Sequence, residues 1–178
     1  MSLEIVFETH SISEDNERGI ATGWLPGRLS ERGRALAREL GSRHRDAGIV
    51  AVFTSDLTRA VETAAIAFDG SPLPILPIQA DPRLRECDYG ELNGAPVGSL
   101  EPRSRFIATP FPGGESYRDV VERVRDFIGD LAPYEGRRVL LIGHSATRWA
   151  LAHLLDGYLL EDLVDAPFAW QPGWLFRT

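Results

Sequence analysis

The chain contains no lysine. All 19 of its basic residues are arginine, against 26 acidic ones, for a formal net charge of −7. A surface that coats nucleic acid needs clustered positive charge to neutralise phosphates, so no nucleic-acid partner is expected. Arginine, with its planar bidentate fork, is left as the only permanently cationic side chain for an oxyanion. Cysteine is nearly missing as well. The single Cys87 excludes an intramolecular disulfide and a thiolate metal cage. No apolar run approaches the roughly 20 residues that span a bilayer. The first such run is short and carries Glu4 and Glu8, which argues against a secretory signal. These absences predict a soluble, cytoplasmic protein without membrane association.

What is present suits one domain. At 178 residues and 43% hydrophobic composition the chain can bury a core without staples. Leu3 to Phe7 reads as a first strand that ends in Glu8-Thr9-His10-Ser11 and then a long polar loop. Ser30 is a plausible N-cap for a helix running to about Ala47, and Gly48 stops it. Ile49 to Phe53 is a continuous apolar run, as expected of a strand covered by helices on both faces. A helix opens at Leu57, and Ile75 to Ile78 is a third strand candidate. Residues 81 to 115 have little periodicity and many Gly and Pro, the mark of a lid-like insertion at about 80–115. A helix from Ser116 to Leu131, a strand from Arg138 to Ile142 and a helix from about Ala146 to Leu155 follow. In the tail, Pro172-Gly173 between aromatic-rich halves suggests a terminal hairpin. The alternation implies an α/β fold, a three-layer sandwich with a mostly parallel central sheet flanked by helices.

Parallel strands bring their carboxyl ends to one edge, where open α/β sheets bind ligands. That edge would gather His10, the segment Ser55 to Arg59 with a helix N-terminus at Leu57, and Gly143-His144. Two histidines, an arginine and a helix N-terminus suit a tetrahedral oxyanion. Glu86, on the patternless loop, supplies a carboxylic acid; Asp88 and Glu91 are its rivals. His44 and His153, within helices, read as surface or packing residues, and Trp24, Trp149, Trp170 and Trp174 as core or lid packing.

Taken in order, these segments resemble the histidine phosphatase superfamily, the phosphoglycerate-mutase-like enzymes. Ser55-Asp56-Leu57-Thr58-Arg59-Ala60 is similar to the family's second arginine motif, and Leu84 to Gly94 to the segment bearing its proton donor. Val139 to Ser145 is similar to its second-histidine motif, Leu29-Ser30-Glu31-Arg32-Gly33 to its first helix start, and Gly113-Gly114-Glu115-Ser116 to the stretch before its last core strand. Asn16 keeps the family's asparagine six residues after the histidine. The first motif departs: Thr9-His10-Ser11 stands where the family reads Arg-His-Gly.

The resemblance implies that His10 is a nucleophile forming a phosphohistidine. It makes Glu86 the acid and then base, with Arg59, His144, Asn16 and Ser11 around the phosphoryl oxygens. Loss of one preorganised charge donor typically costs on the order of 100- to 1,000-fold in turnover. Arg18, Arg28, Arg85 and Arg148 are candidates to replace the missing arginine, Arg18 first because it follows His10 in the loop. Arg103, Arg105, Phe106 and Phe111 are candidate specificity contacts on the lid. The expected activity is metal-independent hydrolysis of a small phosphomonoester, with no cofactor and no metal site. The alternatives are a weakened relative that binds a phosphorylated ligand or protein, and, less favoured, a mutase. The aromatic tail leaves room for a homo-oligomer.

Overall fold

A computed structural model of the protein describes residues 2–69 and 78–178. Three apolar runs become the centre of a five-stranded sheet: β1 (Glu4–Thr9), β2 (Ile49–Thr54) and β4 (Arg138–Gly143). With β3 (Ile78–Ala80) and β5 (Trp174–Arg177) the order is β3-β2-β4-β1-β5. All pairings are parallel except β5 on β1. The strand candidate at Ile75 to Ile78 lies, apart from Ile78, outside the described residues.

Side chains alternate across a strand with period 2, and each face finds its own helices. Val52, Leu140 and Ile142 pack with Leu40 of α2 (Glu31–His44) and Ala60 and Ala64 of α3 (Thr58–Phe68). Ile5, Phe7, Phe53, Val139 and Leu141 face α4 (Tyr117–Gly129) and α5 (Ser145–Asp156). The chain therefore has the expected α/β, three-layer arrangement. α2 and α3 touch so closely that a Cβ on Gly41 would lie 1.8 Å from the Ala67 carbonyl oxygen. Only glycine fits there.

Three expectations need correction. The polar loop after His10 contains a short helix, α1 (Glu14–Arg18), held by reciprocal caps in which Ser13 Oγ accepts from Asn16 N and Asn16 Oδ1 from Ser13 N. The tail is no hairpin. Only Trp174–Arg177 forms a strand, and it pairs with β1, while the preceding half runs past a short α6 (Leu160–Leu163) without strand structure. Residues 81 to 115 form a series of 3₁₀ turns, and Leu84, Cys87, Leu100 and Phe111 sit in the main core. The segment is part of the body more than a cover over it.

Candidate active site

The register of the sheet sets the site. Thr9 pairs with Gly143 across the β1–β4 ladder, so the next residues, His10 and His144, leave adjacent strands side by side. The His10 N–H donates to the Gly143 carbonyl at 2.8 Å, and the two imidazole centroids lie 5.0 Å apart. That is close to the spacing of the strands that carry them.

Hydrogen bonds assign each ring a tautomer. His10 Nδ1 lies 2.6 Å from the Ser11 carbonyl oxygen, an acceptor, so Nδ1 carries the proton and Nε2 keeps its lone pair. His144 Nδ1 lies 3.3 Å from Arg59 Nη2, a donor, so the proton of His144 is on Nε2. That Nε2 is buried without a partner among the described residues. Burial first, then the Arg59 charge, pushes His10 down to about 3, and the same causes hold His144 well below the ordinary histidine range. Both rings are neutral near neutrality.

Arg59, 2% exposed, is held by the carbonyl oxygens of Gly23 (2.8 Å) and Leu25 (3.4 Å) and by His144. Glu86 is buried, and its Oε1 accepts from Cys87 N at 2.8 Å and from Ala146 N, in the first turn of α5, at 3.2 Å. Oε2 has no partner among the described residues. Burial pushes the Glu86 carboxyl up, against the opposing pull of the Cys87 hydrogen bond and the Arg59 charge.

A cavity of about 640 Å³ opens here. His10, Ser11, Asn16, Glu86 and His144 line it; Arg59 does not, and meets it through His144. α5 brings its N-terminus to the cavity, with Ser145 on the wall, and α3 does not. Asn16 spends Oδ1 on its cap, and its Nδ2 has no partner among the described residues. Asp88 and Glu91 are off the wall; Asp88 accepts from Gly90 N and Asn93 Nδ2.

The structure does not bring Arg18 to the cavity. It is paired with Asp15 and its side chain is 71% exposed, because α1 turns it outward. Arg28 pairs with Glu14, Arg85 with Asp56, and Arg148 sits over the Trp174 ring. None of the four reaches the wall. The arginines that do are Arg32 and Arg43 of α2, which sequence reasoning missed. Arg43 is tied to Glu8, whereas Arg32 makes no ion pair among the described residues. The expected specificity contacts are also elsewhere: Phe106 stacks on Phe111 at 3.8 Å, Arg105 sits over Phe106, and Arg103 pairs with Glu101. Trp170 and Phe168 of the tail line the cavity instead.

One further residue supports the site without touching it. Arg123 of α4 spends all five of its N–H donors: on both Glu115 carboxylate oxygens and on the carbonyls of Arg83, Arg85 and Glu86. It pins the backbone that presents Glu86.

Comparison with known proteins agrees with this arrangement. The family model for the histidine phosphatase superfamily (branch 1) matches residues 5–169. A 2,3-bisphosphoglycerate-dependent phosphoglycerate mutase of Methylobacterium sp. (strain 4-46) is 37% identical over 173 residues, covering 89% of this chain and 83% of the relative. Among solved structures, Bacillus stearothermophilus YhfR superposes with a TM-score of 0.81 at 26% identity, covering 96% of this chain and 88% of the other. A mycobacterial glucosyl-3-phosphoglycerate phosphatase does so with a TM-score of 0.77 at 27% identity, covering 92% and 84%. No helix among the described residues is long and apolar enough to cross a membrane. With the histidine pair at adjacent strand ends and the match running from β1 through the last helix, the chain belongs to the histidine phosphatase superfamily, branch 1.

Proposed function

We propose that the protein is a phosphomonoesterase that works through a phosphohistidine on His10. The observation that carries this reading is the pair of opposite tautomers: a lone pair on His10 Nε2 beside an unpartnered N–H on His144 Nε2. The first attacks and the second donates to a phosphoryl oxygen. In the first step Nε2 of His10 bonds to phosphorus, the P–O bond to the leaving group breaks, and Glu86 protonates the departing oxygen. In the second, water attacks phosphorus, gives its proton to Glu86, and the P–N bond breaks to release phosphate. Arg59 and the N-terminus of α5 supply field without moving a proton. Arg32 is the arginine best positioned to take up charge that Thr9 cannot.

A mutase is the second reading, favoured by the printed name of the Methylobacterium relative. It requires tight handling of a bisphosphate, and the absence of the first-motif arginine weighs against that. The test is turnover of an aryl phosphate in chelator by wild type and His10→Ala, beside interconversion of 2- and 3-phosphoglycerate with bisphosphate primer. Chelator-resistant hydrolysis that disappears with His10 supports the phosphatase. Interconversion outpacing hydrolysis supports the mutase. Neither, with phosphate still protecting the fold against heat, supports a binding protein.

A further inference from the structure

The cavity does not stop at the histidines. It follows one face of α2, where Arg32, Leu36, Leu40 and Arg43 succeed one another at three- and four-residue spacing. Val97 adds an apolar wall, and the tail ahead of β5 brings Phe168 and Trp170. These two aromatics are 55% and 58% exposed. Trp170 is nonetheless tied to the reacting end. The Arg43 guanidinium lies 5.7 Å from its ring centroid and donates to Glu8 Oε1 at 3.1 Å. Glu8 is 1% exposed, also accepts from His44 Nε2 at 2.7 Å, and is two residues before His10 on β1. A cation and a buried carboxylate thus link the Trp170 ring to the strand that carries His10.

Building on the phosphatase reading, we propose that this end of the cavity is a leaving-group subsite for a planar aromatic or similarly broad apolar body. Its substrate would be a phosphomonoester of that kind, with the body lying between Leu36 and Leu40 on one side and Trp170 and Phe168 on the other. A volume of about 640 Å³ matches a site for a drug-sized molecule, more than a phosphoryl group needs. The wall beyond His10 is mostly apolar, and its far charges, Glu8 and Arg43, are already paired with each other. An anionic group lodged among Leu36, Leu40, Phe168 and Trp170 would give up water against apolar carbon. An aromatic body would instead cover two large side chains that are now more than half in water.

The test is the ratio of kcat/KM for 1-naphthyl phosphate to that for glycerol 3-phosphate. It is measured in wild type, Trp170→Ala, Phe168→Ala and Tyr158→Ala, the last an exposed aromatic off the cavity. The ratio should fall about tenfold in Trp170→Ala, mainly through KM, and hold in Tyr158→Ala. A ratio unmoved in both tail variants, or a wild type that turns over only the glycerol ester, overturns the subsite. If wild type hydrolyses neither ester, the phosphatase reading fails and the subsite is judged by binding. Stronger thermal protection by 1-naphthyl phosphate than by equal inorganic phosphate, lost in Trp170→Ala, supports it. Equal protection overturns it.

Discussion

His10 and His144, 5.0 Å apart at the ends of neighbouring parallel strands, carry their protons on opposite nitrogens. The Ser11 carbonyl selects one tautomer and the Arg59 guanidinium the other. Two rings on the wall of one cavity therefore carry one Nε2 lone pair and one Nε2 N–H, and neither ring is charged. That division suits one ring to attack phosphorus and the other to steady its oxygens.

Glu86 should set the alkaline limb of the rate profile. Its carboxyl is raised by burial and must be protonated to aid the leaving group, so turnover falls as pH rises through its folded value. His10, lowered to about 3, stays unprotonated and gives no acid limb near 6.5. Glu86→Gln should lower kcat/KM, which reports only the steps up to loss of the alcohol, about 100-fold or more for alkyl phosphates and far less for 4-nitrophenyl phosphate, since that leaving group needs no proton. Equal losses on both esters, in pH-rate assays, would contradict the assignment.

Arg123 positions Glu86 through backbone carbonyls. Arg123→Ala strands the Glu115 carboxylate and the carbonyls of Arg83, Arg85 and Glu86, at a cost of about 3 kcal/mol. Urea unfolding should show that loss. The kcat of the folded variant should fall with KM nearly unchanged, because in the proposed mechanism Glu86 acts on the leaving group and not on binding. Arg123→Lys, with a point charge in place of five fixed donors, should restore only part.

Arg32 and Arg18 separate two accounts of the missing arginine. Arg32 is on the cavity wall and Arg18 is paired with Asp15 in solvent. In isothermal titration with orthovanadate or phosphate, Arg32→Ala should weaken affinity about tenfold, the scale of one charge-assisted hydrogen bond. Arg18→Ala should leave it unchanged. The reverse pattern would return the role to the loop after His10.

Acid should loosen the fold through the histidines. Both site imidazoles have folded values below the unfolded 6.5. Below that pH the unfolded chain binds protons that the folded chain refuses, and stability falls with pH toward about 3 for His10. Glu86, raised in the fold, acts the other way, contributing stability at low pH that is lost as pH rises through its folded value. In a Glu86→Gln background the melting temperature should drop steadily from pH 7 to 5. Adding His10→Gln should flatten that slope.

The central strands were legible because burial on both faces writes continuous apolar runs, as in Ile49 to Phe53 and Val139 to Ile142. His10 and His144 followed from them, since residues at parallel strand ends must meet at one edge. Trp174–Arg177 was not legible as a lone strand, because its partner β1 is at the other end of the chain and nothing local records that pairing. The 3₁₀ turns between residues 81 and 115 carry no period to detect, although their Leu84 and Phe111 are core. Arg123 was hidden for a related reason: three of its partners are main-chain carbonyls, which have no sequence signature. Arg32 and Trp170 looked like ordinary surface or packing positions until the cavity joined them.

The most direct test of the account is to find the covalent intermediate. Enzyme mixed with excess aryl phosphate, quenched in base to preserve phosphohistidine, digested and analysed by mass spectrometry should carry one phosphoryl group on the peptide containing His10. The group should be labile to acid, absent in His10→Ala, and longer-lived in Glu86→Gln, which cannot take the proton from water. A phosphoryl group on any other residue, or turnover without one at His10 under conditions that trap it in Glu86→Gln, would contradict the account.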